Sequence, residues 1–253
     1  VPMGLIKPVI GDTNSLGFNF LTGGSRATFS TGMTVVRSTR EAIEELKKRA
    51  ALLWEVDLNQ VEWVDGHARL IAGDEPKTMS LAQIAKQAGK TGGPIMANCS
   101  MNVTGAGPSL GTHIVDVEVD TETGKVSIVR YTAIQDAGKA IHPAYVEGQM
   151  QGGAVQGIGW ALNEEYIYND KGELENTGFL DYRIPVCSDV PMIDTVIVEV
   201  PNPNHPYGVR GVGETPIIPP LAAISNAVSR ATNIRFNELP LSPPKVLAKL
   251  MHG

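Results

Sequence analysis

Glu214 ends a distinctive run, Pro206-Tyr207-Gly208-Val209-Arg210-Gly211-Val212-Gly213-Glu214, followed by Thr215-Pro216. Its three glycines let the backbone take unusual dihedrals and lie close against a neighbour. The carboxylate stands just ahead of Pro219-Pro220 and an apolar run, which places it near a helix N-terminus. The positive end of a helix favours negative charge, and an ionised carboxylate is the form a general base needs. The same residues also suit a tight turn in which Glu214 merely serves the helix start. Residue types alone leave both readings open.

Two further stretches carry residues suited to holding a ligand. Gly148-Gln149-Met150-Gln151-Gly152-Gly153-Ala154-Val155-Gln156-Gly157 lies in a helical segment. Glycine inside a helix costs about 1 kcal/mol relative to alanine, so Gly148, Gly152, Gly153, Gly157 and Gly159 need a compensating reason. Close approach of a ligand is one, and tight packing of helices through Gly and Ala is the other. The Gln149 amide offers both donors and an acceptor. Nearer the start, Gly11-Asp12-Thr13 precedes Thr22-Gly23-Gly24-Ser25-Arg26-Ala27-Thr28 and Gly32. Small residues of this kind leave N–H groups and hydroxyls free to cradle an anion, although most Gly/Ser/Thr loops bind nothing.

Other motifs fail. Gly89-Lys90-Thr91 imitates the end of a P-loop, but Ile84 stands where its first glycine belongs, and the triplet ends a helix. Gly105-Ala106-Gly107 runs into Pro108 and lacks the strand–turn–helix setting of a dinucleotide fingerprint. The five histidines lack HExxH spacing, which argues against a protein-ligated zinc, and no GxSxG elbow is present.

The elements that must position these residues follow from periodicity. Residues 1–36 predict loop with a short strand. Ser38-Thr39-Arg40-Glu41 has the form of a capping box, and Ile43, Leu46, Ala50 and Leu53 predict an amphipathic helix to about Trp54. Val61–Val64 and Ala68–Ala72 flank Asp65-Gly66 as a hairpin. Ser80 and Gln83 box a helix bearing Leu81, Ile84, Ala85 and Ala88. Residues 89–109 are the candidate boundary, which divides the chain into subdomains 1–108 and 109–253. Beyond it, Thr112–Val119 and Val126–Ile134 predict a second hairpin. Pro143–Leu162 predicts a helix, and short strands fall at Glu165–Tyr168 and Glu173-Leu174. Thr195–Val200 predicts a strand, and Pro220–Thr232 and Val246–Met251 predict helices. Hairpins beside segregated helices indicate an α+β fold with mixed or antiparallel sheets.

Composition is ordinary for a globular chain, at 42% apolar and 19% charged, which argues against disorder. A net charge of −6 without a basic stripe argues against a nucleic-acid partner. No run is long and apolar enough for a membrane span, and a cytoplasmic setting is the default. Cys99 and Cys187 are too far apart in sequence for a CxxC pair. The first residue is Val1, so an upstream portion is expected.

Taken in order, these stretches resemble the C-terminal part of the molybdenum-cofactor subunit of the xanthine oxidase and aldehyde oxidoreductase family of molybdenum hydroxylases. Val-Gly-Glu214 before a Pro-containing run and Leu221-Ala222-Ala223-Ile224-Ser225-Asn226-Ala227 is similar to that family's C-terminal signature. The resemblance implies that Glu214 is a general base for attack of water-derived oxygen on an aldehyde or N-heterocyclic substrate. It implies that Gln149 hydrogen-bonds a pterin, and that Gly24, Ser25, Arg26, Ala27 and Thr28 contact the same cofactor. Asp136-Ala137-Gly138 with His142-Pro143 resembles a family stretch read as structural, shaping the turn into the Gln149 helix. Tyr207 and Arg210 are candidates to face substrate. The implied cofactor is of molybdopterin type, its cytosine dinucleotide form included, with no protein ligand to the metal. Iron–sulfur clusters and FAD are expected only on partner domains, since two distant cysteines cannot hold a cluster. The upstream half of the molybdenum subunit is a further expected partner. The alternative is a cofactor-binding or assembly fragment, inactive without partner chains.

Overall fold

A computed structural model describes residues 1–14, 17–19, 21–71, 77–102 and 107–252. Ala72, the end of one expected strand, and Gly105-Ala106 lie outside the described residues. The chain forms two compact units, Val1–Leu21 with Ser30–Val103, and Thr22–Phe29 with Thr104–Gly253. The division at 108/109 assigns residues 22–29 to the first subdomain, whereas the compact units group them with the second. Two hydrogen bonds between Ser25 and Glu214, one donated by each residue, tie this segment there.

In the first unit, helix α1 (Ala27–Trp54) supplies the longest element, its first residues belonging to the second unit. The helix starts eleven residues before the expected Ser38 box (38 − 27), which corrects the reading of 1–36 as loop and strand. Ser38 caps nothing. Its hydroxyl donates to the Thr34 carbonyl at 2.9 Å, as Thr34 does to Ser30 at 3.0 Å and Thr39 to Val35 at 2.7 Å. Such back-bonding lets Ser and Thr sit inside a helix. Strands β1 (Val61–Val64), β2 (His67–Leu70) and β3 (Thr78–Ser80) form an antiparallel sheet in that order. Asp65 and Gly66 both take positive φ, 49° and 78°, as the tight hairpin turn requires. The Ser80–Gln83 box opens the short helix α2 (Leu81–Lys86) with both reciprocal bonds made. Leu46, Ala50, Ala51, Val61, Ala68 and Ile84 form this unit's core.

In the second unit, β4 (Gly111–Val119) and β5 (Val126–Asp136) pair antiparallel, with a bulge at Asp116/Val117. Strand β6 (Ile193–Val198) lies parallel to β5, Tyr131 opposite Ile193. The sheet is therefore mixed, in an α+β fold. The expected strands around Asp170-Lys171-Gly172 reduce to one bridge, Tyr168 to Leu174. Helices α3 (Pro143–Leu162), α4 (Pro219–Thr232) and α5 (Pro243–His252) complete the unit. Met150, Ala154, Ile158 and Ala161 form the buried stripe of α3, and they share a core with Tyr131, Ala133, Ile224, Val228, Leu241 and Val246. Among the described residues no helix is long and apolar enough to cross a membrane.

Candidate functional site

The site is built outward from the end of β5. Gln135 is buried, and its side-chain Nε2 donates to the Gly211 carbonyl and to Ser109 Oγ, both at 3.3 Å. Asp136 Oδ1 accepts the N–H groups of Gly138 at 2.9 Å and Val200 at 3.0 Å, while Oδ2 lies 2.9 Å from Arg210 Nε. Arg210 also donates through its guanidinium to the carbonyls of Pro108 at 2.7 Å and Val200 at 3.0 Å. Main-chain bonds add to the strap. Arg210 N–H donates to Ala137 O, and Lys139 N–H to Gly208 O. Residues 208–211 are thus held to the strand end by two side chains and several amides.

This placement corrects one reading and extends another. Arg210, a candidate to face substrate, spends its guanidinium on Asp136 and two carbonyls, because a charge this enclosed needs partners in fixed geometry. Asp136-Ala137-Gly138 straps down the glutamate loop, besides leading towards α3. Tyr207 is more than half exposed and holds φ at 58°, a left-handed value uncommon for an aromatic residue.

Held this way, the loop runs against Ser25 and Gln149. A Cβ on Gly211 would lie 2.7 Å from Ser25 Cβ. One on Gly213 would lie 3.3 Å from Gln149 Oε1 and 3.4 Å from Ser25 Oγ. The missing side chains are what allow these two segments to converge. Beyond them, Glu214 donates its N–H to Ser25 Oγ at 2.9 Å, and Ser25 Oγ donates to Glu214 Oε2 at 3.1 Å. Glu214 precedes a single 3-10 turn, Thr215–Ile217, and its side chain caps neither that turn nor α4.

The structure therefore brings Ser25, Gln149, Gly213 and Glu214 together. Gly24 and Ser25 take positive φ, 66° and 53°, immediately before α1, and Ala27 and Thr28 are its first residues. Gly24, Ala27 and Thr28 are exposed and Arg26 is half-buried. Free N–H groups at a helix start suit an anion. Gln149 lies on an exposed face of α3, whose Gly148 and Gly152 have open space where a Cβ would stand.

The five glycines of α3 divide by what they meet. Side chains on Gly153 and Gly157 would collide with Pro216 and Pro220, the latter at 2.6 Å, and one on Gly159 with Glu164 and Pro185. Tight packing thus accounts for these three, and the open pair beside Gln149 is different. Sequence reasoning missed Gln135, whose neighbours give no motif. It also missed His205, a buried ring stacked on Phe29 at 4.0 Å whose Nδ1 bonds the Val209 carbonyl. A histidine beside Pro206 and the glycine loop was the available signal. Among the described residues no group of three or more His, Cys, Asp and Glu side chains could hold a metal ion.

Comparison with known proteins supplies the family. Residues 1–191 match the family model of the molybdopterin cofactor-binding domain, a span that includes Ser25 and Gln149. The xanthine dehydrogenase molybdenum-binding subunit of Escherichia coli O157:H7 is 37% identical over 207 residues, 80% of this chain and 28% of that protein. The nicotine 6-hydroxylase large subunit of Paenarthrobacter nicotinovorans is 32% identical over 258 residues, 98% of this chain and 32% of its own length. The solved structure of quinoline 2-oxidoreductase from Pseudomonas putida 86 matches 94% of this chain and 32% of that one, at 29% identity and a TM-score of 0.75. The chain thus spans about a third or less of the relatives it matches. It belongs to the molybdopterin cofactor-binding domain family, and over most of its length it is similar to molybdenum-binding and large subunits of the xanthine dehydrogenase and nicotine hydroxylase type.

Proposed function

We propose that this chain forms part of a molybdenum hydroxylase that introduces water-derived oxygen into an aldehyde or an N-heterocycle, with Glu214 as general base. The observation that carries this reading is the convergence of Glu214 with Ser25 and Gln149 around Gly213. The residues fit a pterin-type group. The Gln149 amide offers donors and an acceptor, Gly213 leaves open the space a methyl would fill, and the loop Gly24–Thr28 leads into the N-terminus of α1, where the helix dipole favours an anion. Gln149 would hold the pterin, and Gly24, Ser25, Arg26, Ala27 and Thr28 would contact its outer portion and phosphate, in the cytosine dinucleotide form or the shorter one.

When bound, the cofactor supplies the two-electron redox chemistry and the centre for oxygen transfer. This chain's own residues set the geometry and handle the proton. Ser25 occupies Oε2 of Glu214, and Oε1, which has no hydrogen-bond partner among the described residues, would take the proton from the attacking water-derived oxygen. The strap from Gln135, Asp136 and Arg210 holds the loop so that the carboxylate returns to one position between turnovers. Iron–sulfur and flavin domains on partner chains would carry electrons away, and the rest of the molybdenum subunit would complete the pocket. For the isolated chain, an inactive cofactor-binding fragment is the fitting description. Phe179, Leu180 and Met192 are each at least 85% exposed, as expected of a surface that partners cover.

The test is Glu214→Gln in the complete complex, assayed with benzaldehyde, xanthine and quinoline and an artificial electron acceptor. Turnover should fall by about 10²-fold or more while molybdenum and pterin content stay at wild-type levels. Undiminished turnover would remove Glu214 from the role of base.

A further inference from the structure

We infer that Ser25 is a positioning residue for Glu214, in addition to lying in the cofactor loop. This inference rests on the reading of Glu214 as base. Ser25 and Glu214 stand 189 residues apart, yet one hydroxyl serves both ends of the glutamate, accepting from its N–H at 2.9 Å and donating to Oε2 at 3.1 Å. The backbone of Ser25 sits at φ 53°, a region in which glycine is at ease and serine is not, directly after Gly24 at 66°. A glycine there would satisfy the backbone better, so the position is occupied for its hydroxyl. The opposing chain makes room for that side chain, since a Cβ on Gly211 would lie 2.7 Å from Ser25 Cβ and 3.2 Å from Ser25 O. Glu214 itself is exposed and bonds no other side chain among the described residues. An exposed carboxylate samples several rotamers unless something fixes it. Ser25 selects one, directs Oε1 away from the hydroxyl, and ties the glutamate's main chain and side chain to a single anchor.

The variant that isolates this role is Ser25→Gly, which keeps the left-handed backbone and deletes the hydroxyl. It is compared with wild type, Glu214→Gln and Ser25→Asn in the complete enzyme with its partner chains. Three readouts are taken. They are molybdenum and pterin per complex, hydrogen–deuterium exchange of the peptide spanning residues 211–216, and kcat and KM for whichever of benzaldehyde, xanthine or quinoline the wild type oxidises.

In Ser25→Gly we expect molybdenum and pterin to fall by no more than about twofold, the neighbouring cofactor contacts being kept, and exchange at the Glu214 amide to be faster by about tenfold. We also expect kcat lower by about 10- to 100-fold with KM within about threefold. Ser25→Asn, whose amide offers a donor and an acceptor in a residue that tolerates left-handed dihedrals, should recover part of kcat. Unchanged exchange, or unchanged kcat with cofactor retained, would overturn the proposal. So would a fall in kcat that only tracks loss of molybdenum, since Ser25 would then be a cofactor contact alone. Full turnover by Glu214→Gln would defeat the base reading itself. An inactive Glu214→Gln beside a fully active Ser25→Gly would defeat only the positioning role.

Discussion

The α-carbon of Gly213 lies between the amide of Gln149 and the hydroxyl of Ser25, where a methyl group would be 3.3 and 3.4 Å from the two oxygens. Its φ is outside the left-handed region, so alanine can adopt the backbone there without strain. Gly213→Ala should therefore leave thermal stability within about 2 °C of wild type, a shift equivalent to about 0.5–1 kcal/mol. It should nevertheless lower the molybdenum and pterin content of the assembled enzyme. Metal analysis alongside calorimetry separates the two effects. A variant with full cofactor content would show that the gap is not used. Glu214, Gln149 and Ser25 were legible as candidates because residue type and a short surrounding pattern mark them. Gln135 was not, and Asp136 was legible only as part of a structural turn and not as a tie for the glutamate loop. Each acts by meeting residues 64 to 76 positions away, and the strand around them reads as ordinary β-structure.

Helix α3 packs tightly on one side and leaves open space on another. Along it, Gly157 is pressed against Pro220 and the Ile217 carbonyl, at 2.6 and 2.7 Å from a would-be Cβ, whereas Gly148 and Gly152 face open space. Adding a methyl at Gly157 gains helix propensity of about 1 kcal/mol but forces a backbone neighbour to move, a cost of roughly 1–3 kcal/mol. Gly157→Ala should thus be neutral to destabilising. Gly152→Ala meets no such contact and should raise stability by about 0.5–1 kcal/mol in the cofactor-free chain. Urea denaturation of both variants checks the difference, and equal behaviour would contradict the packing described. Periodicity located α3, α4 and both hairpins to within a few residues. It failed at the start of α1, where the Ser- and Thr-rich residues read as loop. Thr34 in that stretch, and Ser38 and Thr39 of the expected cap, bond back onto the helix's own carbonyls, an option that composition does not reveal.

For the molecule as a whole, acid sensitivity should trace to one buried pair. His113 and Tyr131 are both buried, with Nδ1 and the phenol oxygen 2.7 Å apart. Burial lowers the His113 pKa from 6.5 to about 4 and pushes that of Tyr131 up. An unfolded chain takes up the histidine proton near pH 6.5, while the folded one resists until about pH 4. Between those values the unfolded state binds more protons, so stability falls as pH drops from 6.5 to 4 and then levels off. The loss amounts to at most about 3 kcal/mol. Denaturant midpoints across this window should flatten in a His113→Leu/Tyr131→Phe double variant. An equal slope in both proteins would assign the acid sensitivity elsewhere.

Some properties of this protein were determined by the sequence alone. Hydrophobic periodicity and turn residues specified the helices, the hairpins and the α+β class. Short motifs and the family resemblance they carry made Glu214, Gln149 and the Ser25 loop candidates, since such signals act over one or two turns of chain. The tertiary structure alone decided which of them meet. Ser25 reaches Glu214 across 189 residues, and the glutamate loop is strapped to the end of β5 by Gln135 and by the Asp136–Arg210 pair. Contacts of that range depend on how strands pair and helices pack, and no local pattern encodes them.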